Sequence, residues 1–288
     1  MKLDRFRVRP GERNPLARRK PSHTGPFSDK KSAEKHLEKG VARLETLQER
    51  LYAQCEHSLV VILQGMDAAG KDSAITHVMS GVNPLGTEAH SFKRPSAEEL
   101  SHTFLWRATK VLPARGRIGL FNRSYYEDVL VVRVHPELLD AQRLPAERIT
   151  TNIWDERMED INAFERHLWR NGTTVVKFFL HLSRAEQRRR LIARIDDPSK
   201  NWKFSAGDLP ERRKWKDYHK AYEHALSATS TRRAPWYVIP ADHKWFAHVA
   251  IADIIVDALE RLDLSFPKQS AAERRLLARM RRELVRNA

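Results

Sequence analysis

The sequence contains a single cysteine, Cys55, among 288 residues. One cysteine excludes an internal disulfide and a cysteine-based metal site. Because Cys55 comes just before an apolar run, where a small apolar side chain packs well, we expect it in the core. The sequence also lacks an apolar run of the roughly 20 residues that span a membrane, and its first residues contain no apolar leader segment. These absences favour a soluble, cytoplasmic protein that has no membrane partner.

Acidic residues are scarce as well. Asp and Glu number 37 against 52 Lys and Arg, which gives a formal net charge of +15 at pH 7. An excess of this size favours polyanionic partners, such as nucleic acid, a membrane surface or a polymeric phosphate. A basic surface without any such partner is the alternative.

A buried strand that leads into a glycine-rich loop organises the chain. Residues 59–63 are an unbroken apolar run, β-branched in the middle, which predicts a strand buried on both faces. Residues 65–71 follow it with the G-x-x-x-x-G-K spacing of a phosphate loop. In such a loop, backbone N–H groups surround phosphate oxygens, the lysine supplies a cation, and the next helix adds its positive N-terminal end. The predicted phosphate-binding residues are Gly65, Met66, Ala68, Ala69, Gly70, Lys71, Asp72 and Ser73.

The hydroxyl residue that usually follows the loop lysine is absent, because Asp72 stands there and Ser73 comes one place later. A metal ion that this hydroxyl holds elsewhere therefore needs another ligand. Asp67 is the candidate, because a carboxylate among phosphates is repulsive unless a cation lies between them. A glycine-rich turn that binds nothing is the alternative, but a buried strand before the loop and a helical pattern after it favour phosphate binding.

Polar clusters follow two further predicted strands, Thr87–Phe92 and Arg117–Phe121. Ligands of parallel sheets gather at the carboxyl ends of the strands, so we expect both clusters beside the phosphate loop. Lys93 and Arg94 form the first cluster and suit an anion, with a solvated turn as the alternative.

The second cluster begins at Asn122, where phosphate-loop enzymes carry a carboxylate for the metal and an arginine for the transferred group. Asn122 can ligate but has no charge. Glu127 or Asp128 is therefore a candidate for the missing carboxylate, and Arg123 is the arginine. Acidic residues that merely complement a helix dipole are the alternative interpretation of Glu127 and Asp128.

A fourth strand, at 173–182, leads into an arginine-rich helix with a capping box, Ser183 to Glu186. Kinases with a phosphate loop carry such a segment as a mobile lid, because the migrating phosphoryl group needs charge on several sides and shielding from water. We therefore predict a lid at about 183–207, with a solvated basic helix as the alternative.

The other segments complete a phosphate-loop kinase-like fold. Residues 1–27 are predicted to be an irregular basic arm on the surface, and residues 268–288 a basic amphipathic tail that binds a partner subunit or a polyanion. Between them, residues 28–267 form one domain with three layers, in which helices flank a mainly parallel sheet of five strands. The predicted helices are 28–52, 73–80, one continuous helix from 96 to about 111, 145–170, 208–227 and 248–262, and the fifth strand is 235–240.

Five separated segments resemble the polyphosphate kinase 2 family, over about residues 30–267. They are Gly-Met-Asp-Ala-Ala-Gly-Lys-Asp at 65–72, Ser-Phe-Lys-Arg-Pro at 91–95, Phe-Leu-Trp-Arg at 104–107, Phe-Asn-Arg-Ser-Tyr-Tyr-Glu-Asp-Val-Leu at 121–130 and Asn-Trp-Lys-Phe at 201–204. Five matches in the right order are far more specific than a phosphate loop alone.

The resemblance implies a reversible, Mg²⁺-dependent transfer of the terminal phosphoryl group of inorganic polyphosphate to AMP or ADP, giving ADP or ATP. Guanine nucleotides are further acceptors to test, and Mn²⁺ is an alternative ion. By matching position, Asp67 handles the acceptor phosphate and the metal, Lys71 is the loop cation, and Arg123 clamps phosphate. Arg133 joins the nucleotide-binding candidates. The predicted polyphosphate and lid contacts are Lys93, Arg94, Arg184, Arg188, Arg189, Arg194 and Lys203.

Two alternatives stay open beside this family. A conventional ATP-dependent nucleotide or small-molecule kinase would have the same fold but no extended cationic track. A basic nucleic-acid-binding protein would use the arm and tail, although no usual nucleic-acid-binding motif is present. Within the family, Asn122 replaces the Asp of one branch, and the segment at 126–130 resembles the branch that uses both AMP and ADP. The helix at 32–52 and the tail also suggest a homo-oligomer.

Overall fold

Five strands form one sheet at the centre of the molecule, within the residues 1–286 that the computed structural model describes. The strands are β1 (Ser58–Gln64), β2 (Thr87–Ser91), β3 (Ile118–Asn122), β4 (Thr173–His181) and β5 (Trp236–Pro240). Their order across the sheet is β2-β3-β1-β4-β5, and all four neighbouring pairs are parallel. The predicted α/β fold is confirmed, with a sheet that is parallel throughout.

The helices cover both faces of this sheet. They are α1 (Lys30–Gln54), α2 (Lys71–Val78), α3 (Ala97–Leu100), α4 (Trp106–Thr109), α5 (Glu127–Val134), α6 (Ile153–Arg170), α7 (Arg184–Asp196), α8 (Asp208–Arg213), α9 (Trp215–Thr229), α10 (Lys244–Glu260) and α11 (Ala271–Arg286). None of those helices is long and apolar enough to cross a bilayer.

The side chains of β1 show why the fold has three layers. Successive side chains of a strand point to opposite faces. Leu59, Val61 and Leu63 pack in an apolar cluster with α1, α2 and α10, whereas Val60 and Ile62 pack in a second cluster with α5, α6 and α9. A continuous apolar run is therefore what this central strand needs.

The carboxyl ends of the middle strands lie side by side. Leu63 of β1 is in register with Asn122 of β3, and Gln64 pairs with Phe179 of β4. The phosphate loop and the cluster that begins at Asn122 therefore leave the sheet at the same edge, as the sequence predicted.

A buried ion pair lies under one face of the sheet. Lys177 Nζ donates to Glu165 Oε2 at 2.6 Å and to the backbone oxygen of Thr229 at 2.8 Å. Both side chains are almost completely buried. The hydroxyls of Tyr125 and Tyr126 donate to Glu165 Oε1, each at 2.9 Å. Buried charges are tolerated only when paired and hydrogen-bonded in this way.

The expectation that Cys55 lies in the core is wrong. Cys55 is exposed and ends α1 in the left-handed region, with φ of +55°. The chain turns there from α1 toward β1, and the thiol faces the backbone oxygen of Arg115 at 3.5 Å.

Two predicted helices are each divided. The capping box at Ser96 and Glu99 is present, but α3 ends at Leu100 and α4 begins only at Trp106. Ser101 Oγ donates to the backbone oxygen of Glu98 at 2.7 Å, and such side-chain bonds compete with helix continuation. The helix predicted at 208–227 is likewise divided into α8 and α9 at Lys214.

The amino-terminal arm was predicted to lie on the surface, but part of it packs into the core. Phe6, Val8 and Leu16 are buried, and the Val8 N–H donates to the backbone oxygen of Trp236 at 2.8 Å. The arm therefore covers the free edge of β5 and leaves less of that edge open to strand pairing.

Candidate active site

The phosphate loop runs from β1 to the N-terminus of α2. Gly70 caps that helix with φ of +105°, a backbone conformation that favours glycine. Lys71, the first residue of α2, is buried, and its Nζ donates to the backbone oxygen of Gly65 at 2.8 Å. Burial lowers the pKa of Lys71 to about 8, and Arg123 acts in the same direction, while Asp67, Glu127 and Asp72 oppose the shift. The nearby carboxylates thus offset only part of the effect of burial on the pKa of Lys71.

Arg123 joins the loop to the end of β3. Its Nη2 lies 3.2 Å from Asp67 Oδ1, and its Nε lies 3.9 Å from Glu127 Oε2. The backbone of Arg123 has φ of +64°, an uncommon conformation for a residue with a side chain. Residues in such conformations cluster at functional sites, because surrounding contacts must hold them there.

Glu127 lies behind this pair, at the start of α5. Burial raises its pKa, while Arg123 and Lys71 oppose the shift. The side chain is 21% exposed and does not line the cleft.

Asn122 contacts the loop directly. Its Nδ2 donates to Asp72 Oδ1, so the residue that replaces the usual loop hydroxyl is fixed by the residue at the end of β3. Because the NH₂ group of Asn122 faces Asp72, the amide oxygen of Asn122 points away from Asp72. That oxygen can serve as a metal ligand.

A cleft of about 810 Å³ opens above the loop, with the arginine-rich α7 on one side. The loop, the ends of β2 and β3, α7, the segment 200–203 and the connection from β5 to α10 line it. The predicted residues that line it are Asp67, Ala68, Ala69, Gly70, Lys71, Asp72, Ser73, Lys93, Asn122, Arg123, Arg189, Arg194 and Lys203.

Other predicted site residues lie outside the cleft lining. Asp128 points to the opposite side of α5, where its Oδ1 accepts from Gln142 at 2.7 Å and lies 3.7 Å from Arg157. Burial raises the pKa of Asp128 to about 6, with Arg157 opposing the shift. Asp128 is therefore not placed to hold a metal beside the loop.

Arg133 is also placed away from the cleft, because its guanidinium contacts the His224 ring at 2.5 Å. Gly65 and Met66, the first two residues of the loop, do not line the cleft, and their backbone oxygens accept from Lys71 Nζ. Among the predicted polyphosphate and lid contacts, Arg94, Arg184 and Arg188 are exposed and do not line the cleft.

Several residues that line the cleft or contact the loop were not predicted as site residues from the sequence. Arg190 and Gln187 of α7 contact the loop, and Asp208 lies 3.9 Å from Arg194. The Trp202 side chain is 78% exposed although it lines the cleft, and the Lys203 ammonium lies 4.9 Å from its ring. The regular 3–4 spacing of α7 was the available signal for Gln187 and Arg190, since both lie on its buried face.

The carboxylates that line the cleft are Asp67, Asp72, Glu186, Asp208 and Asp242. Within residues 1–286, no cluster of three or more His, Cys, Asp or Glu side chains forms a preformed metal centre. Mg²⁺ does not require one, because it is commonly held by one or two carboxylates together with substrate phosphates. Asp67 of the loop, which lines the same cleft as Asn122, fits this donor set.

The family model for polyphosphate kinase 2 matches residues 27–267 of this chain. The chain belongs to the polyphosphate kinase 2 family. The resemblance carried by the five sequence segments is thereby confirmed, and neither the conventional kinase nor the nucleic-acid-binding alternative is favoured.

Relatives in this family match almost the whole chain. The ADP-polyphosphate phosphotransferase of Rhodopseudomonas palustris is 49% identical over 288 residues, 99% of each chain. The AMP/ADP-polyphosphate phosphotransferase of Meiothermus ruber is 43% identical over 276 residues, 96% of this chain and 99% of the relative. The crystal structure of polyphosphate kinase 2 from Arthrobacter aurescens TC1 has a TM-score of 0.84 and 43% identity, covering 95% of each chain.

Proposed function

We propose that this polyphosphate kinase 2 transfers the terminal phosphoryl group of inorganic polyphosphate to AMP and ADP, and that the transfer is reversible. The observation that carries the proposal is the set of cations around the phosphate loop. Those that line the cleft are Lys71, Lys93, Arg123, Arg189, Arg190, Arg194, Lys200, Lys203 and Lys244. A long phosphate chain needs charge along its length, beyond what a loop alone supplies.

The chemistry is positioning and charge neutralisation. In phosphoryl transfer the attacking and leaving oxygens lie roughly in line, and the protein stabilises charge on the transferred group. Lys71 and Arg123 approach the loop from two sides, and both are held by partners in the protein. We assign them to the transferred phosphoryl group, and we assign Arg189, Arg194 and Lys203 to the polyphosphate chain.

Asp67 has the role of organising the cation that accompanies the phosphates. Mg²⁺, or Mn²⁺ in its place, would neutralise phosphate charge when bound. Asp67 would hold it, with Asn122, which also lines the cleft, and Glu127, whose carboxylate lies 3.9 Å from Arg123, as further candidates. Until phosphates bind, Arg123 compensates the Asp67 carboxylate.

The proposal extends to the acceptors, the cellular location and the oligomeric state. The acceptors are AMP and ADP, as the segment at 126–130 suggests, with guanine nucleotides as further acceptors. The reaction takes place in the cytoplasm. The chain forms a homo-oligomer, supported by the exposed apolar residues Leu276, Leu277, Met280 and Leu284 on α11. Helix α1 does not support self-association as the sequence suggested, because it packs on α10 of the same chain.

The test is nucleotide formation from long-chain polyphosphate and Mg²⁺, with AMP, ADP, GMP and GDP offered separately and products resolved by chromatography. We expect ATP from AMP by way of ADP. Product from ADP alone would keep the activity and discard the AMP step. No product from any acceptor, with ATP used as donor to another substrate, would instead support a conventional kinase.

A further inference from the structure

Three consecutive backbone oxygens of the phosphate loop are bonded by one face of α7. Gln187 Nε2 donates to the oxygen of Asp67 at 3.0 Å. Arg190 Nη1 donates to the oxygens of Ala68 and Ala69, each at 3.0 Å. Both side chains are buried, Gln187 at 2% exposure and Arg190 at 7%. The loop that faces the substrate is therefore tied on its carbonyl side to the lid helix.

Arg190 is fixed by more than the loop. Its Nη2 donates to the backbone oxygens of Ala241, at 2.5 Å, and Asp242, at 3.1 Å. Its Nε donates to Glu186 Oε1 at 2.7 Å. A guanidinium with partners on all sides has little freedom to move, because its donors lie in one rigid plane. Arg190 thus links α7, the loop and the connection after β5.

Gln187 has a partner that sets its orientation. Arg212 of α8 donates to Gln187 Oε1 at 2.6 Å. An arginine can only donate, so the amide oxygen of Gln187 must face Arg212 and the NH₂ group must face the loop. A chain of contacts therefore runs from α8 through Gln187 to the backbone of Asp67.

These contacts act on the phosphate-binding side of the loop. A peptide unit is planar, so fixing the direction of its C=O also fixes the N–H of the next residue. The Asp67 and Ala69 oxygens thereby set the N–H directions of Ala68 and Gly70. Ala68 itself has φ of +63°, a conformation that an L-residue keeps only under such restraint.

We propose that Gln187 and Arg190 are positioning residues for phosphoryl transfer, which hold the peptide units of the phosphate loop in their phosphate-binding orientation. This inference rests on the proposed polyphosphate-dependent function.

Two substitutions that keep the charge of the side chain test the proposal. Gln187→Met removes the donor to Asp67, and Arg190→Lys leaves one ammonium in place of the planar donors. The matched control is Arg19→Lys, because Arg19 donates to the backbone oxygens of Arg5, Arg7 and Pro15 and to Glu12, and does not line the cleft.

Steady-state rates of the three variants should distinguish a positioning role of Gln187 and Arg190 from an effect on stability alone. Because misplacement of about 1 Å in a site costs about 100-fold in rate, we expect kcat to fall at least tenfold for Gln187→Met and about 100-fold for Arg190→Lys. The KM for ADP should stay within about twofold, because the proposed function assigns the loop lysine to the transferred phosphoryl group of the donor and not to the acceptor. Arg19→Lys should keep its kcat even where its melting temperature falls.

Direct binding of tripolyphosphate, measured by calorimetry, gives a second readout that needs no turnover. We expect weaker binding in both α7 variants than in the wild type and in Arg19→Lys. If both variants keep wild-type kcat and wild-type binding while only their melting temperatures fall, the contacts are structural and the proposal is wrong. A wild-type enzyme that binds tripolyphosphate but transfers nothing would overturn the proposed function, and the binding comparison would still decide the roles of Gln187 and Arg190.

Discussion

The guanidinium of Arg123 lies 3.2 Å from the carboxylate of Asp67, across the space between the end of β3 and the phosphate loop. Each group thus has a partner before any substrate is present. The Asp67 side chain is 33% exposed, and its charge also raises the pKa of the buried Lys71. In the proposed reaction, substrate phosphates would compete for Arg123, and the accompanying cation for Asp67.

Asp67→Asn should therefore lower kcat by about 100-fold to 1,000-fold, the loss typical of a group that organises charge in a transition state. The amide has nearly the shape of the carboxylate, so the fold should be unchanged by circular dichroism and thermal melting. Steady-state rates with ADP and polyphosphate measure the effect. The matched control is Asp140→Asn, because Asp140 is exposed and lies outside the cleft lining. Undiminished turnover of Asp67→Asn would refute the role.

The buried Lys71 predicts an alkaline limit of activity. Its pKa of about 8 means that the side chain is charged below pH 8 and loses its proton as the pH rises through that value. Since kcat/KM reports groups of the free enzyme, its profile should fall on the alkaline side near pH 8. Arginine stays charged throughout, so Lys71→Arg should lose this limb, even if its rate is lower. A limb that persists in Lys71→Arg would assign the titration to another group.

The sequence predicted those parts of the site that depend on neighbours along the chain. The apolar run of β1, the spacing of the loop and the lysine at the start of α2 are all local patterns, and the structure has each of them. The cluster after β3 was also placed correctly, because parallel strands share a carboxyl edge.

Sequence could not settle which side chain of a helix faces the loop. Glu127 and Asp128 are adjacent, and adjacent helical residues point about 100° apart, so only one of them lies toward Arg123. Gln187 and Arg190 were not predicted as site residues, because the backbone oxygens to which they donate belong to residues far away in the chain. Packing decides such choices: the spacing of α7 marks its buried face, but it does not identify the partners of the side chains on that face.

The ion pair of Lys177 and Glu165 should be the most sensitive point of the core. Lys177→Met would leave the Glu165 carboxylate buried without its cation, and such losses cost about 3–5 kcal/mol in the free energy of unfolding. Urea unfolding followed by fluorescence measures it. The double variant Lys177→Met with Glu165→Gln should recover part of the loss, because a neutral amide is cheaper to bury than an unpaired charge. Equal stability of the single and double variants would contradict this explanation.

The arginines of the cleft should separate polyphosphate use from nucleotide use. Arg194 lies on the last turns of α7, lines the cleft and is 25% exposed, with Asp208 at 3.9 Å. Arg194→Ala should raise the KM for polyphosphate about tenfold, because a hydrogen bond to a charged group contributes about 1.5–3 kcal/mol. The KM for ADP should change little. The control is Arg43→Ala, an arginine of α1 that pairs with Glu260 at 3.0 Å away from the cleft. If the effect fell on ADP instead, Arg194 would belong to the nucleotide site, and the polyphosphate chain would have to follow the cations at Lys200 and Lys203.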